Sequence, residues 1–185
     1  MKILFILDYT TYRENIFDVA KVASIYADAI WFRIKNIDAV DILYLSKRLR
    51  NELPSSHLIL SERPDIAQIA SFNGVQIGSK SIPTYAVKKA FPDLELGYSA
   101  HSINEIEEVE ADYYTLSPIF YTKKDYDVYP LGPVDVSLVG KRIFALGGIN
   151  INNVAKLLNQ GYYGIAGISF FNDLQELSRK LKNSR

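Results

Sequence analysis

Two glycine-bearing segments near the end of this sequence have the residue types best suited to chemistry. Leu146-Gly147-Gly148-Ile149-Asn150 and Ala166-Gly167-Ile168-Ser169 each close a short apolar run. Glycine lets backbone N–H groups approach an anion closely, and a helix starting just beyond would add a favourable dipole. Gly147, Gly148, Ile168 and Ser169 therefore read as a phosphate cradle; the plainer alternative is a pair of tight turns that hold no ligand. Arg33 and Lys35 alternate at the end of another apolar run. Two cations on one side suit a pyrophosphate or a carboxylate, and a solvated strand end is the other reading. Lys123 and Lys124 sit in a polar stretch, as a mobile anion clamp or as ordinary loop charges. His101, one of two histidines, lies between Ser99 and Ser102. Histidine moves protons near neutral pH without help, but here it can equally brace the helix that follows. His57 precedes a strand at its other end and reads as structural.

Short elements must bring these residues together. Apolar runs without strict alternation occur at 3–7, 29–33, 58–60, 75–77, 94–98, 113–116, 143–146 and 164–168, as expected of parallel strands covered on both faces. Helical spacing separates them: Ile42, Leu45, Leu49 and Leu53; Val154, Leu157 and Leu158; Leu174, Leu177 and Leu181. Pro83 and Asn152 stand where helices would begin. Residues 120–133, rich in Tyr, Lys, Asp and Pro, read as a long loop that could cover a site, followed only by a possible short helix over 134–139. Eight strands alternating with helices leave a closed barrel or an open doubly wound sheet. No G-x-G-x-x-G follows the first strand, which favours the barrel. The expectation is one α/β domain over residues 1–185, a compact (β/α)8 barrel with a shortened, irregular sixth unit. Function in such a barrel gathers at the C-terminal strand ends. Those ends carry Asp8, Arg33, Ser61-Glu62, Ser81, Ser99, Ser117, Thr122 and Ser169, a set poor in carboxylates that suits an anion better than a metal.

Composition narrows the ligand. The 21 basic and 21 acidic side chains cancel, so no overall field draws in nucleic acid or acidic lipid, and a small molecule is the expected partner. The absence of cysteine removes disulfides, thiolate metal sites and cysteine nucleophiles. Met1–Leu7 runs into Asp8 without a small-residue cleavage site, and no apolar run reaches the roughly 18 residues of a membrane span. A soluble, cytoplasmic protein is expected. Thirteen tyrosines and nine phenylalanines are many for this length, so a homodimer is one expectation.

These strand-end residues resemble the thiamine phosphate synthase superfamily, which includes the TenI-like thiazole tautomerases. The likeness covers nearly the whole chain. It is carried by Leu96-Gly97-Tyr98-Ser99-Ala100-His101-Ser102, Ala111-Asp112-Tyr113-Tyr114, Ser117-Pro118-Ile119-Phe120, Ala145 to Asn150 and Gly161 to Ser169. The resemblance implies a thiamine-biosynthesis barrel that binds a small phosphorylated heterocycle, with Ser99 and Thr122 as further substrate contacts. In the synthases, a pyrimidine diphosphate is joined to a thiazole phosphate while magnesium and basic residues stabilise the departing pyrophosphate. Their Gln-x-Arg-x-Lys motif keeps Arg33 and Lys35 here, with Trp31 in place of the glutamine. Their Asn-Asp after strand three is Ser61-Glu62, their aspartate after strand four is Ser81, and their Thr-x-Thr-Lys loop is shortened to Tyr121-Thr122-Lys123-Lys124.

One carboxylate where two are expected points to the tautomerase branch, whose proton transfers need no metal or other cofactor. The segment 83–105 resembles that branch, although Pro118 stands where its histidine would fall, which leaves His101 or Glu62 to move the proton. The leading expectation is thus a metal-independent thiazole tautomerase. A thiamine phosphate synthase with an altered magnesium site is the alternative, and a non-catalytic binder of a thiamine precursor is the third.

Overall fold

A computed structural model describes residues 1–122 and 129–182. Eight parallel strands close into a barrel in sequence order: β1 Lys2–Asp8, β2 Ala29–Arg33, β3 Leu58–Ser61, β4 Gly74–Gly78, β5 Glu95–Ala100, β6 Tyr113–Leu116, β7 Ile143–Leu146 and β8 Gly164–Gly167, with β8 pairing back onto β1. Helices α1 Tyr9–Tyr12, α2 Ile16–Tyr26, α3 Ala39–Glu52, α4 Pro64–Ile69, α5 Thr84–Ala90, α6 Ile103–Glu108 and α7 Leu174–Lys182 fill most of the crossovers. No described helix is long and apolar enough to cross a membrane.

The strands are apolar on both faces because two separate cores use them. Ile3, Phe5, Leu7, Ile30 and Phe32 point outward into the layer under the helices. Leu4, Ile6, Trp31, Ile59, Tyr113, Phe144 and Ala166 fill the barrel's interior. Since side chains alternate along a strand, Asp8 and Arg33 continue the inward rows of Leu4 and Ile6 and of Trp31, and the register sets Asp8 beside Arg33. The interior leaves little room. A Cβ on Gly97 would lie 2.1 Å from Gln76 Oε1 and 2.2 Å from Tyr113 Cζ. Gly97→Ala is therefore expected to destabilise the barrel by about 1–3 kcal/mol, read as a lower urea midpoint at unchanged slope.

Ion pairs close the N-terminal end. Lys2 Nζ meets Asp28 at 2.7 Å, while Glu95 receives His57 Nε2 at 2.8 Å and Arg142 at 2.9 Å around a small cavity of about 190 Å³. The hydrogen bond from His57, helped by the Arg142 charge, holds the Glu95 carboxyl below its ordinary range despite burial. A carboxyl depressed in the folded state adds stability above its unfolded value, and loses that stability as pH falls through the folded one. Thermal midpoints should thus fall less steeply below about pH 4.3 in Glu95→Gln than in the parent.

Two expected helices do not form. Residues 134–139 hold only a turn at 137–139, since Gly132 and Gly140 take positive φ on either side and Asp135 accepts the Ser137 N–H at 2.8 Å. After β7, Val154–Leu157 is a single 3-10 turn rather than an α-helix. There the Asn150 side chain accepts from Asn152 N and Asn153 N, and Asn153 accepts from Asn150 N. These local bonds compete with the helical ladder. Among the described residues the sixth unit has no helix, so it is irregular as expected but lacks even the short helix expected there.

Candidate functional site

A cavity of about 550 Å³ opens at the C-terminal ends of the strands. Its apolar floor is Ile6, Trp31, Leu146 and Ala166, the last side chains of the barrel interior. Ser117, Pro118 and Thr122 lie next to Gly147–Ile149, Gly167–Ser169 follow, and Arg33 stands beyond β1 at the other end of that arc.

The glycine side is built from main chain. Gly147 and Gly148 take φ values of 101° and 65°. The Gly147 carbonyl accepts from Phe120 N at 3.0 Å, and the Gly148 carbonyl from Asn153 Nδ2 at 2.8 Å. The N–H and C=O of a trans peptide point in opposite directions. Tying these two carbonyls back into the scaffold therefore turns the Gly148 and Ile149 N–H groups the other way, on residues that line the cavity. Neither N–H is used by another described residue. Two adjacent donors, on Gly148 and Ile149 where the chain leaves two positive-φ glycines, form a concavity of the kind that suits an anion. The helix dipole expected to assist them is missing, because only the 3-10 turn follows. The cradle rests on backbone N–H groups alone.

Arg33 supplies the charge at the other end of the arc. Its guanidinium is bonded to Asp8 Oδ1, and Asp8 Oδ2 accepts from Thr11 N at 3.0 Å and Thr11 Oγ1 at 2.8 Å. Asp8 is only 4% exposed, whereas the Arg33 side chain is 30% exposed and lines the cavity. The carboxylate thus acts as a buried anchor that points a cation at the mouth.

The expected site residues divide into those the fold collects and those it does not. Gly147, Gly148, Ile168, Ser169, Arg33 and Thr122 all line the cavity. Lys35 is exposed beyond β2 and Ser99 is bonded to Gln76 Nε2 at 2.9 Å, neither of them in the lining. Lys123 and Lys124 lie outside the described residues, as does the whole of 123–128 in the loop expected to cover the mouth. His101 is exposed and also outside the lining. Its Nδ1 lies 2.9 Å from the Ser117 carbonyl, which can only accept, so that nitrogen carries the proton and the ring ties β5 to the loop after β6. Glu62 sits at φ 63°, a left-handed conformation that non-glycine residues rarely adopt, with its N–H on Gln76 O at 2.9 Å. Its carboxylate accepts from the Ser81 hydroxyl, which in turn accepts from Gly78 N at 2.7 Å. The two positions where the resemblance expects metal ligands are therefore side by side.

Sequence reasoning placed Asp8 at a functional strand end and Trp31 in the strand-two motif but gave neither a role in the site. The signal for both was the inward alternation of β1 and β2, which ends on Asp8 and Arg33. Trp31 donates from Nε1 to the buried Ser61 Oγ at 2.7 Å. This spends its one polar atom and leaves the cavity an apolar edge.

A family model described as thiamine monophosphate synthase matches residues 3–171. The thiamine-phosphate synthase of Pyrococcus horikoshii is 29% identical over 98% of this chain and 92% of its own length. That of Methanococcus maripaludis is 26% identical over 97% and 91%. Among solved structures, thiamine phosphate pyrophosphorylase from Pyrococcus furiosus superposes with a TM-score of 0.86 at 28% identity, covering 99% of this chain and 96% of that one. N-(5'-phosphoribosyl)anthranilate isomerase from Pyrococcus furiosus shares the fold at 15% identity, with a TM-score of 0.72. The match over nearly the whole chain places this protein in the thiamine monophosphate synthase family.

Proposed function

We propose that this chain is a thiamine-phosphate synthase, a transferase that joins a pyrimidine diphosphate to a thiazole phosphate with release of pyrophosphate. One observation carries the reading over the tautomerase: the described cavity lining holds a cation, hydroxyls and backbone donors, but no carboxylate and no imidazole. Tautomerisation needs a placed acid or base within reach of the ring. Bond exchange at a diphosphate instead needs groups that hold anions and stabilise a departing one. The cradle of Gly148 and Ile149 would hold the thiazole phosphate, and Arg33 would face the diphosphate. As the carbon–oxygen bond breaks, its electron pair leaves with the pyrophosphate. The thiazole ring nitrogen then donates its pair to the carbon left behind. The names of the relatives support the same choice.

The chain's oxygen donors fit a magnesium ion in a reduced form. No described group of three or more acidic, histidine or cysteine side chains comes together. Magnesium, however, is commonly held by one or two carboxylates, with substrate phosphates and water completing its shell. Glu62 and the Ser81 hydroxyl, already in contact, are the residues that would hold it. When bound, the ion would neutralise charge on the departing pyrophosphate. To test the reading, the protein is given both substrate pairs separately. Thiamine phosphate should accumulate with equimolar pyrophosphate, while the thiazole carboxylate phosphate should rearrange no faster than in buffer. Rapid rearrangement without coupling would reverse the choice.

A further inference from the structure

The turn after β1 touches both anion sites, although only Asp8 of its residues stands at a strand end. Asp8 caps α1 and is bonded to Arg33. Four residues on, the Tyr12 hydroxyl donates to the Ile168 carbonyl at 2.8 Å. That carbonyl belongs to the peptide whose N–H is Ser169, and both residues line the cavity. By the same trans-peptide geometry, fixing the Ile168 oxygen fixes the Ser169 N–H in the opposite direction. No other described residue uses that N–H. The Tyr12 ring is seated against Phe5 at 6.1 Å and Phe171 at 5.9 Å between centroids, so its place does not depend on the hydroxyl. Burial, helped by the Asp8 charge, pushes the phenol up to about 12, which keeps it a donor at any working pH.

We propose that the Asp8–Tyr12 turn is the positioning element for both anion sites, Asp8 aiming Arg33 at one anion and Tyr12 aiming the Ser169 N–H at the other. This rests on the two-anion site under the proposed function. It makes Asp8 and Tyr12 positioning residues for two different substrates. The β1 turn thereby links the phosphate loop of β8 to the cation of β2 through the five residues from Asp8 to Tyr12, with no contact needed between the two.

The full-length chain is titrated with inorganic phosphate and with pyrophosphate, following the fluorescence of Trp31, the one tryptophan, on the cavity floor. Tyr12→Phe keeps the ring and should weaken phosphate binding roughly tenfold, the loss of one oriented donor. Pyrophosphate binding should change much less. Asp8→Asn should show the reverse order, with pyrophosphate weakened roughly tenfold and phosphate little changed. Where turnover is measurable, Tyr12→Phe should raise the KM for the thiazole phosphate without lowering kcat, a split that a merely folded-state defect would not produce. Equal losses for both anions in either variant, or a Tyr12→Phe protein that binds phosphate as the parent does, would overturn the proposal. A parent that binds neither anion would overturn it together with the site. A parent that binds both, shows the two opposite selectivities and yet couples no substrates supports the positioning roles, and removes only the synthase reading.

Discussion

Replacing Arg33 by methionine is expected to cost both turnover and stability, and to cost them separably. The guanidinium is the one cation in the described lining, so its loss should lower kcat/KM for the diphosphate by about 10²–10³, the scale seen when one preorganised stabilising donor is removed. It also strands Asp8, which is 4% exposed and otherwise bonded only to Thr11. Breaking a buried pair on one side costs about 3–5 kcal/mol. The lower end applies here, because Thr11 still donates twice to the carboxylate and the Arg33 side chain is partly solvated. Asp8→Asn combined with Arg33→Met should then recover stability in urea unfolding while recovering none of the turnover. If the double variant stays as unstable as the single, Asp8 is not the buried anchor described above.

The second large effect is expected at Gly148. Its φ of 65° suits glycine, and a Cβ there would lie 2.3 Å from the Tyr121 carbonyl oxygen and 2.9 Å from Phe120 backbone carbon. Those are main-chain atoms that cannot swing aside as a long side chain would. Gly148→Ala must therefore rotate the peptides whose N–H groups form the cradle. Phosphate affinity should fall at least about a hundredfold, near 2.7 kcal/mol, in the same fluorescence titration. Gly147→Ala provides the comparison: its Cβ would approach Pro118 only to 3.0 Å, so its effect should be smaller. Equal, small effects from both substitutions would mean that the anion is held elsewhere in the mouth.

The barrel was legible because parallel strands buried on both faces write themselves as apolar runs, and all eight runs match strands to within a residue or two. The glycine turn that lines the cavity was legible too, since positive φ and close backbone approach leave few other residues possible at Gly147 and Gly148. The helix after β7 was misread for a local reason. Val154, Leu157 and Leu158 have helical spacing, but Asn150 and Asn153 spend their side chains on nearby backbone and hold the segment in a short turn. Partners across the mouth were not legible at all. That Asp8 stands beside Arg33 follows from the β1–β2 register. That Tyr12 reaches Ile168, 156 residues away, follows from the barrel closing on itself. No spacing in the chain records either.

The lean toward a tautomerase came from counting carboxylates at single positions. Glu62 and Ser81 in contact show why a count was insufficient: the serine that replaces a charged ligand still offers an oxygen to the same spot. Of the two residues that were to move the proton, His101 is turned instead to the Ser117 carbonyl and Glu62 is bonded to the Ser81 hydroxyl, and neither is in the cavity lining. What remains in the cavity suits holding anions better than moving protons.

The most direct measurement is thiamine phosphate formation from the pyrimidine diphosphate and the thiazole phosphate, followed with magnesium and after its chelation. Turnover that needs magnesium and releases one pyrophosphate per product is the expected result, with Glu62 and Ser81 sufficing as the protein's share of the metal shell. No product above the enzyme-free rate in magnesium, from a protein that still binds phosphate, would contradict it. The chain would then be a thiazole tautomerase or a barrel that holds a thiamine precursor without converting it.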